Sequence, residues 1–469
     1  MISKKLAVEL INYASSTGAD FVELFYEDTK GTSYSFENAK LDSISTNYVN
    51  GIGVRLLKDN QSIYGYTNDL SKKSLFKLIE NLRSSFSTSR CIEEISDLKQ
   101  QKYKRVNKSI VSLTTIEPST IIEYVRKGIN EILNYDKRIV RVIGGFLVKT
   151  SDITIMNSEG KLFKKHNEYG RVFLNSIASE NGKIETRFDG PGSQNGWKFF
   201  TEELDFIKLA RENARKCILM LGAKECPSGH FPVIIGNGWG GVIFHEACGH
   251  QLEATSVAKG LSVFSNMKGQ YIANPIVSAY DDGTMPNEWG SNDIDDEGNP
   301  TQNNCLIKDG VLVGYLVDNF NGRRMGEKGN GACRRQSYKY NPTSRMSNTY
   351  IANGKSTVEE IIKNTKLGLY AVSFNGGSVN PAVGDFNFGC SEAYIIKDGK
   401  ILEPVRGATL VGNAKDILKH IDMIANDLGL GQGNCGSSSG SIPVNVGQPT
   451  IRVDDITVGG RGGSIDEYK

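Results

Sequence analysis

The chain has 469 residues, of which 39% are hydrophobic and 23% charged, with 55 lysines and arginines against 53 aspartates and glutamates. This composition is that of an ordinary globular protein, and the length predicts two or three domains. The near balance of charge gives no reason to expect nucleic acid or an anionic membrane as a partner. No run of 18 apolar residues occurs, so no membrane-spanning helix is expected.

The first part of the chain alternates helical and strand-like patterns. Apolar spacing predicts helices over residues 3–17, 71–84 and 118–133. Strands are predicted over residues 20–26, 33–44, 51–57, 61–66, 142–148, 153–156 and 172–180. The expected fold is therefore α+β, with a mixed, sandwich-like N-terminal domain over residues 1–195. The linker-like stretch GPGSQNG at residues 190–196 sets this boundary.

The second part is predicted to be a β-rich domain over residues 196–469. A helix is expected over residues 203–221, followed by a strand over residues 231–235 and then by many short strands separated by turns. One further helix is predicted over residues 414–427. An antiparallel sheet or partial barrel explains the remaining pattern.

The strand at residues 231–235 leads into the segment GNGWGGVIFHEACGH, residues 236–250, with Asn237 as a candidate helix N-cap. His245, Glu246 and His250 follow within six residues, although the whole chain has only five histidines. Two imidazoles and a nearby carboxylate are what a catalytic zinc site requires: nitrogen ligands and a base for water. Ordinary polar residues on opposite helix faces are the alternative.

The spacing of the two histidines demands a break in the helix. Five residues turn a regular helix by about 500°, which leaves the two rings about 140° apart, too far for one ion. Gly249 lies next to His250 and has the backbone freedom for a kink or a π-bulge. We therefore predict that the helix is interrupted near Gly249.

The glycines of this segment also match a nucleotide-binding pattern. Gly236, Gly238 and Gly241 have the spacing G-x-G-x-x-G after a predicted strand. The second strand that should follow about 20 residues later is missing from the sequence pattern. A tight turn and a close backbone approach are the favoured interpretation.

A third zinc ligand is expected from the C-terminal region. His420 and Cys435 are the remote candidates, and Cys435 is preferred because it lies in the Gly-rich stretch GLGQGNCGSSSG, interpreted as a flexible loop that can approach a metal closely. Glu253 is a candidate fourth ligand or a hydrogen-bond partner of His250. Cys248, inside the motif, is assigned to packing.

Several motifs together resemble the TldD/PmbA family of bacterial and archaeal metallopeptidases. They are FHEACGH, DDEGNPT, CRRQSYKYNPTSRMSNTYI and GNCGSSSGSIPVNVGQPTIRVDDITVGG, which together span residues 244–460. The resemblance implies one zinc ion per chain, held by His245, His250 and the cysteine that falls on Cys435. It also implies cleavage of unfolded peptides with little sequence preference.

The resemblance further implies a dimer that encloses the active site, formed with a second copy or with a motif-lacking paralogue. The expected reaction is zinc-dependent peptide hydrolysis with Glu246 as the base. Tyr338, Arg345 and Asn348 are candidates for stabilising the transition state, and a structural role is the alternative for each of them. A zinc-stabilised scaffold or non-catalytic subunit of a protease complex is the alternative. Because the eight cysteines show no C-x-x-C pairing and the N-terminus reads as an amphipathic helix, a cytoplasmic protein is expected.

Overall fold

The computed structural model of the chain describes residues 2–16, 18–86, 88–379 and 383–468. The α-helices are α1 (Lys4–Ser15), α2 (Lys72–Arg83), α3 (Pro118–Leu133), α4 (Phe206–Leu221), α5 (Val242–Ala247), α6 (Ala254–Val257), α7 (Asn319–Met325), α8 (Val358–Lys363) and α9 (Ala414–Ile417). Short 3-10 turns cover Leu113–Thr115, Trp239–Gly241, Gly249–Leu252 and Ile465–Tyr468, and a π turn covers Phe199–Glu203. Within these described ranges, no helix is long and apolar enough to cross a membrane.

The first sheet is built from the N-terminal strands. They are β1 (Phe21–Glu37), β2 (Lys40–Lys58), β3 (Gln61–Thr67), β4 (Lys99–Gln100), β5 (Ile139–Asn157), β6 (Lys161–Glu180), β7 (Lys183–Asp189) and β8 (Gly192–Ser193). Their order is β3-β2-β1-β5-β6-β4, with β7 and β8 also paired to β6. All pairs except β4 with β6 are antiparallel.

The strands of the first sheet are longer than the sequence predicts. β1 and β2 pair along nearly their whole lengths, so separate strands at residues 20–26, 33–44 and 51–57 were wrong. The range 33–44 contains the hairpin turn itself, where Asn38 and Ala39 have φ of 46° and 62°. Polar and glycine residues that suggested breaks are instead paired within the ladder, because antiparallel strands can keep one face in solvent.

Helices cover the first sheet in two groups. α1 and α2 bury Leu10 and Ile79 against one region of the sheet, and α3 and α4 bury Ile129 and Phe206 against another. α3 has the predicted bounds, and Ser71 caps α2 by accepting a hydrogen bond from Ser74 N. α4 lies beyond residue 195 in the sequence yet packs on this sheet, and the domain boundary itself stays a prediction.

The second sheet lies in the C-terminal part. Its strands are β9 (Lys224–Glu225), β10 (Gly229–Ile235), β17 (Leu367–Val379), β18 (Asp385–Lys397), β19 (Lys400–Arg406), β20 (Thr409–Asn413), β21 (Ile421–Ile424) and β24 (Ile451–Gly459). The order is β17-β10-β24-β20-β18-β19-β9, and a further pairing of β17 with β18 closes five strands into a ring. This ring is the partial barrel that the sequence predicted within an α+β fold.

The third sheet carries one of the candidate site residues. Its strands are β11 (Ala279–Asp282), β12 (Asn303–Lys308), β13 (Val311–Leu312), β16 (Asn348–Ile351), β22 (Gly429–Ser437) and β23 (Gly440–Gln448), and β14 (Cys333–Arg334) pairs separately with β15 (Thr343–Ser344). The order β13-β12-β11-β16-β23-β22 leaves β22 at the edge.

The helix predicted over residues 414–427 was wrong beyond its first turn. α9 ends at Ile417, and the chain then enters β21, which pairs with β24. Ile421 and Ile424 are buried in the core of the second sheet. Tertiary burial of these side chains thus overrides the helical spacing of the sequence.

A buried ionic junction ties the first sheet to loops of the C-terminal part. Arg55 on β2 lies 3.0 Å from Glu23 and 2.6 Å from Glu297, and Arg335 lies 2.6 Å from Glu23. All four side chains are almost completely buried. Because removal of one partner would leave an uncompensated buried charge, costing about 3–5 kcal/mol, this junction fixes how the two parts of the chain meet.

Candidate metal centre

The turn between β10 and α5 is built on close backbone contacts. Gly238 has φ of 63°, in the left-handed region that favours glycine. A Cβ atom added to Gly241 would lie 2.4 Å from the backbone nitrogen of Gly447 on β23. The G-x-G-x-x-G spacing therefore serves the approach of a helix to a hairpin. Asn237 is not the predicted N-cap, since α5 begins at Val242 and the Asn237 amide donates to Asp427 O at 2.8 Å.

The predicted break between the two histidines is present. α5 ends at Ala247, and the chain continues as a 3-10 turn over Gly249–Leu252. The imidazole rings of His245 and His250 consequently lie with their centroids 5.0 Å apart and nearly perpendicular, at 84°. Gly249 also allows close packing, because a Cβ there would lie 2.2 Å from the sulfur of Met346.

Cys435 joins the two histidines from a remote part of the chain. Its sulfur lies 3.2 Å from His250 Nε2, and the ligand atoms of His245, His250 and Cys435 all lie within 4.8 Å of one another. Among the described residues this is the cluster of histidine, cysteine or acidic groups that could hold a metal ion. The preference for Cys435 over His420 thus has a geometric basis.

The surroundings of Cys435 differ from those predicted. The Gly-rich stretch is strand β22 rather than a flexible loop, and Cys435 pairs with Ile442 across the hairpin. Cys435, Ile442 and Val444 form a small buried cluster. The strand therefore holds the thiol in a fixed place, since its backbone groups are paired with β23.

The other ligand candidates have different roles. Glu253 is 5% exposed, and its Oε1 lies 3.2 Å from His250 Nδ1, where it can fix the tautomer and orientation of that ring. His420 pairs with Asp454 at 2.7 Å on the surface. Cys248 is fully buried in the hydrophobic core, where burial raises the pKa of its thiol, in keeping with packing.

The electrostatics of the cluster favour a thiolate. Burial alone would raise the pKa of Cys435, but the charges of His245 and His250 and their hydrogen bonds to the sulfur outweigh burial and lower the pKa to about 4. Burial would likewise lower the pKa of His250, but Glu253 and Cys435 raise it well above its ordinary value. Positive charge at this place is therefore stabilised by a carboxylate and a thiolate.

Glu246 lies beside the cluster without joining it. Its side chain is 25% exposed, and its Oε2 lies 3.8 Å from His250 Nε2. This carboxylate is accessible to solvent and faces the same ring nitrogen as the Cys435 sulfur. Such a position suits a base that exchanges protons with water.

Arg345 fixes the strand that carries Cys435. Its side chain is fully buried, and Nη2 donates to Cys435 O at 2.6 Å. Nη1 donates to Ser439 Oγ and to Gly440 O, both at 2.9 Å, and Nε lies 3.8 Å from Glu253 Oε1. One guanidinium thus links the cysteine hairpin to the carboxylate that contacts His250. The sequence left a structural role for Arg345 open beside transition-state stabilisation, but it did not predict these contacts, which join residues far apart in the chain.

Tyr338 and Asn348, the other two candidates for transition-state stabilisation, also make structural contacts. Tyr338 is 3% exposed and packs in a cluster with Phe25 at the junction of the first sheet. The Asn348 amide donates to Asp282 O at 2.6 Å and to Ser291 Oγ at 2.8 Å, and its oxygen accepts from Gly290 N at 3.1 Å. Both side chains are used within the fold.

The donor set fits a zinc ion. Two imidazoles and one thiolate are ligands that zinc accepts, and three protein ligands leave a further position for water or substrate. His245 Nδ1 is buried and has no hydrogen-bond partner among the described residues. An unpaired buried polar atom costs about 1–3 kcal/mol, and an imidazole nitrogen without a partner in the fold is free to take a metal ion as its partner.

Comparison with known proteins places the chain in a family. A model of the PmbA/TldA metallopeptidase C-terminal domain matches residues 228–460, and models of domain 1 and the central domain match residues 22–85 and 112–221. Together these matches cover most of the chain. The protein belongs to the PmbA/TldA metallopeptidase family, which confirms the resemblance inferred from the sequence motifs.

Individual relatives agree with this assignment. The chain is 35% identical over 449 residues to the metalloprotease TldD homolog of Buchnera aphidicola subsp. Schizaphis graminum, covering 94% of this chain and 93% of the relative. It is 34% identical over 475 residues to the metalloprotease TldD homolog of Haemophilus influenzae, covering 98% and 97%. The fold matches the crystal structure of TldE from Thermococcus kodakarensis with a TM-score of 0.77 at 19% identity, covering 97% and 99%.

Proposed function

We propose that this protein is a zinc-dependent peptidase with one zinc ion per chain, held by His245, His250 and Cys435. The observation that carries the proposal is the convergence of three donors within 4.8 Å beside a solvent-accessible carboxylate, Glu246. Membership of a metallopeptidase family supports the same conclusion. Glu246 is proposed as the catalytic base.

Each residue then has a defined task in peptide hydrolysis. A zinc ion held by His245, His250 and Cys435 would act as a Lewis acid that polarises a carbonyl and lowers the pKa of water. Glu246 accepts the proton of the attacking water and passes it to the leaving amine. Glu253 holds the His250 ring, and Arg345 holds the backbone of Cys435, so both ligands keep their orientation.

The proposed substrates are unfolded peptides or small proteins, and the proposed setting is the cytoplasm. All eight cysteines are free in the structure, which suits a reducing compartment. The proposed assembly is a dimer, with a second copy or with a motif-lacking paralogue. The likeness of the fold to a protein named TldE supports a paralogous partner of the same shape.

Metal analysis combined with a peptidase assay tests this proposal. Purified protein should contain about one zinc per chain, lose peptidase activity with a chelator, and regain it when zinc is restored. Zinc that is retained without any peptidase activity would instead favour the scaffold alternative, and metal-free protein that cleaves peptides would contradict the proposal. Size measurement of protein purified from its native cell separates a homodimer from a heterodimer.

A further inference from the structure

A large cavity lies beside the strand that carries Cys435. Its volume is about 700 Å³, and its walls come from β7 and the loop after it, from β17 and from β22. The cavity extends to Gly433 and Asn434, the residues immediately before Cys435. Because a strand rises about 3.3 Å per residue, one end of the cavity lies a single residue step along β22 from Cys435.

An exposed tryptophan forms an apolar shelf in this cavity. Trp239 is 39% exposed, and its ring lies over β22, where Cβ atoms added to Gly431 and Gly433 would meet it at 2.8 and 3.1 Å. Gly431, Gly433 and Cys435 alternate along the strand and share one face. The glycines therefore make room for a flat aromatic surface on the same face of β22 as the cysteine ligand.

A cation without a carboxylate partner stands in the wall of the same cavity. The Arg171 guanidinium lies 5.5 Å from the Trp289 ring and 5.9 Å from the Phe188 ring, and its Nε donates to Gly190 O at 2.8 Å. Trp289 Nε1 in turn donates to Gly433 O at 2.9 Å. Among the described residues, no carboxylate forms an ion pair with Arg171, and burial lowers its pKa.

The other charged groups of the wall are already engaged. Arg187 pairs with Asp189 at 3.3 Å and donates to Ser373 Oγ at 2.8 Å. Glu288 accepts a hydrogen bond from Asn445 at 2.9 Å, and burial raises its pKa. Among the described residues that line the cavity, Arg171 is thus the cation that no carboxylate neutralises, and the charge that it attracts is negative.

We propose that this cavity binds the peptide on one side of the scissile bond, with Trp239 under an apolar side chain and Arg171 paired to a carboxylate. The proposal rests on the peptidase function inferred above. The volume of the cavity falls in the range of ligand sites, about 300–1,000 Å³. A guanidinium can bind a carboxylate with two parallel hydrogen bonds. The carboxylate is either the C-terminus of the peptide or an acidic side chain.

Binding to the zinc-loaded full-length Glu246→Gln variant tests the inference apart from turnover. Calorimetry would compare four N-acetylated peptides in two matched pairs. The first has a free C-terminus, the second a C-terminal amide, and the third and fourth are amides with glutamates or glutamines near both ends. The Glu246→Gln protein with no second substitution should bind each carboxylate-bearing peptide at least about 10-fold more tightly than its neutral counterpart. This difference is in the range of a charged hydrogen bond.

Replacement of Arg171 identifies the residue responsible. Arg171→Gln should remove the preference, while Arg171→Lys, which keeps the charge but loses the planar fork, should retain part of it. Arg141→Gln is the matched control, because Arg141 lies in the same sheet, pairs with Glu37 and is 48% exposed. Loss confined to the free-acid peptide assigns the peptide C-terminus, and loss confined to the glutamate peptide assigns a side chain.

Two results would overturn the inference: no preference for a carboxylate, or equal weakening of all four peptides by Arg171→Gln. Thermal unfolding of each variant shows whether equal weakening reflects a loss of folding. If Arg171→Gln does not fold, the folded Arg171→Lys variant decides: part of the carboxylate preference should remain, and equal weakening of all four peptides would overturn the inference. The proposed function fails separately, if the unsubstituted zinc-loaded chain binds these peptides but cleaves none of them.

Discussion

The two segments that supply the candidate metal ligands are held in different ways. The histidine segment, residues 242–252, derives its geometry mainly from local sequence, because α5 ends and a 3-10 turn begins between His245 and His250. The geometry of the cysteine segment, residues 429–440, depends on distant contacts. The main ones are the hydrogen bonds from Arg345 to the Cys435 carbonyl and to the Gly440 carbonyl in the turn. One half of the site is therefore encoded locally, and the other by tertiary structure.

Glu246→Gln should have the largest effect on turnover and should leave the geometry of both segments unchanged. The substitution removes a base that contacts solvent but no ligand position, so kcat should fall by about 10²-fold or more. Zinc content by elemental analysis and the unfolding temperature should stay unchanged. Glu359→Gln on the exposed start of α8 is the control, and turnover that survives Glu246→Gln would remove Glu246 from the mechanism.

Arg345→Met should disturb the position of Cys435 in the cysteine segment and leave the backbone of the histidine segment unchanged. The substitution keeps the volume of the side chain but leaves the Cys435 carbonyl without its buried donor. Zinc affinity, measured by competition with a chromophoric chelator, should fall by about 10–100-fold.

Arg211→Met removes an arginine that is 62% exposed and should leave zinc affinity unchanged. Equal zinc affinity in Arg345→Met and the unsubstituted chain would show that β22 holds Cys435 in place without this guanidinium.

Glu253→Gln acts on the histidine segment and should lower zinc affinity less than Arg345→Met does. The amide can still accept a hydrogen bond from His250 Nδ1, now 3.2 Å from Glu253 Oε1, but it no longer offers a negative charge. The same chelator competition should show a loss of about 10-fold. A loss larger than that of Arg345→Met would reverse the comparison between the two segments.

Asn237→Ala should have the smallest effect and should act on stability alone. The substitution removes the hydrogen bond from the Asn237 amide to Asp427 O, so the free energy of unfolding in urea should fall by about 1 kcal/mol. Zinc affinity should not change, because the histidine segment starts beyond this turn. A marked loss of zinc would mean that the glycine turn itself positions His245.

The sequence allowed prediction of features that depend on short-range patterns. The bounds of α3, the strand β10 and the break between the histidines follow from apolar spacing and from the turn angle of a helix. The predicted helix over residues 414–427 failed because burial of Ile421 and Ile424 decides that segment. The Gly-rich stretch appeared as a loop in composition, whereas β22 is stabilised by pairing with β23.

The site followed the same division. His245, Glu246 and His250 could be proposed from spacing alone. Cys435 was preferred over His420 because of its Gly-rich surroundings, and the family resemblance implied the same cysteine. The role of Arg345 depends on a contact between residues 90 positions apart. No local pattern encodes such a contact, since it forms only when the chain between β15 and β16 packs against the hairpin of β22 and β23.

Zinc content of the Cys435→Ala variant tests most directly whether the two segments form one metal centre. With only His245 and His250 remaining, zinc occupancy after dialysis should fall far below one ion per chain, and peptidase activity should fall with it. Added free zinc should restore part of both. If Cys435→Ala keeps a full zinc ion and full activity, the cysteine segment is not part of the metal centre, and the third ligand lies elsewhere.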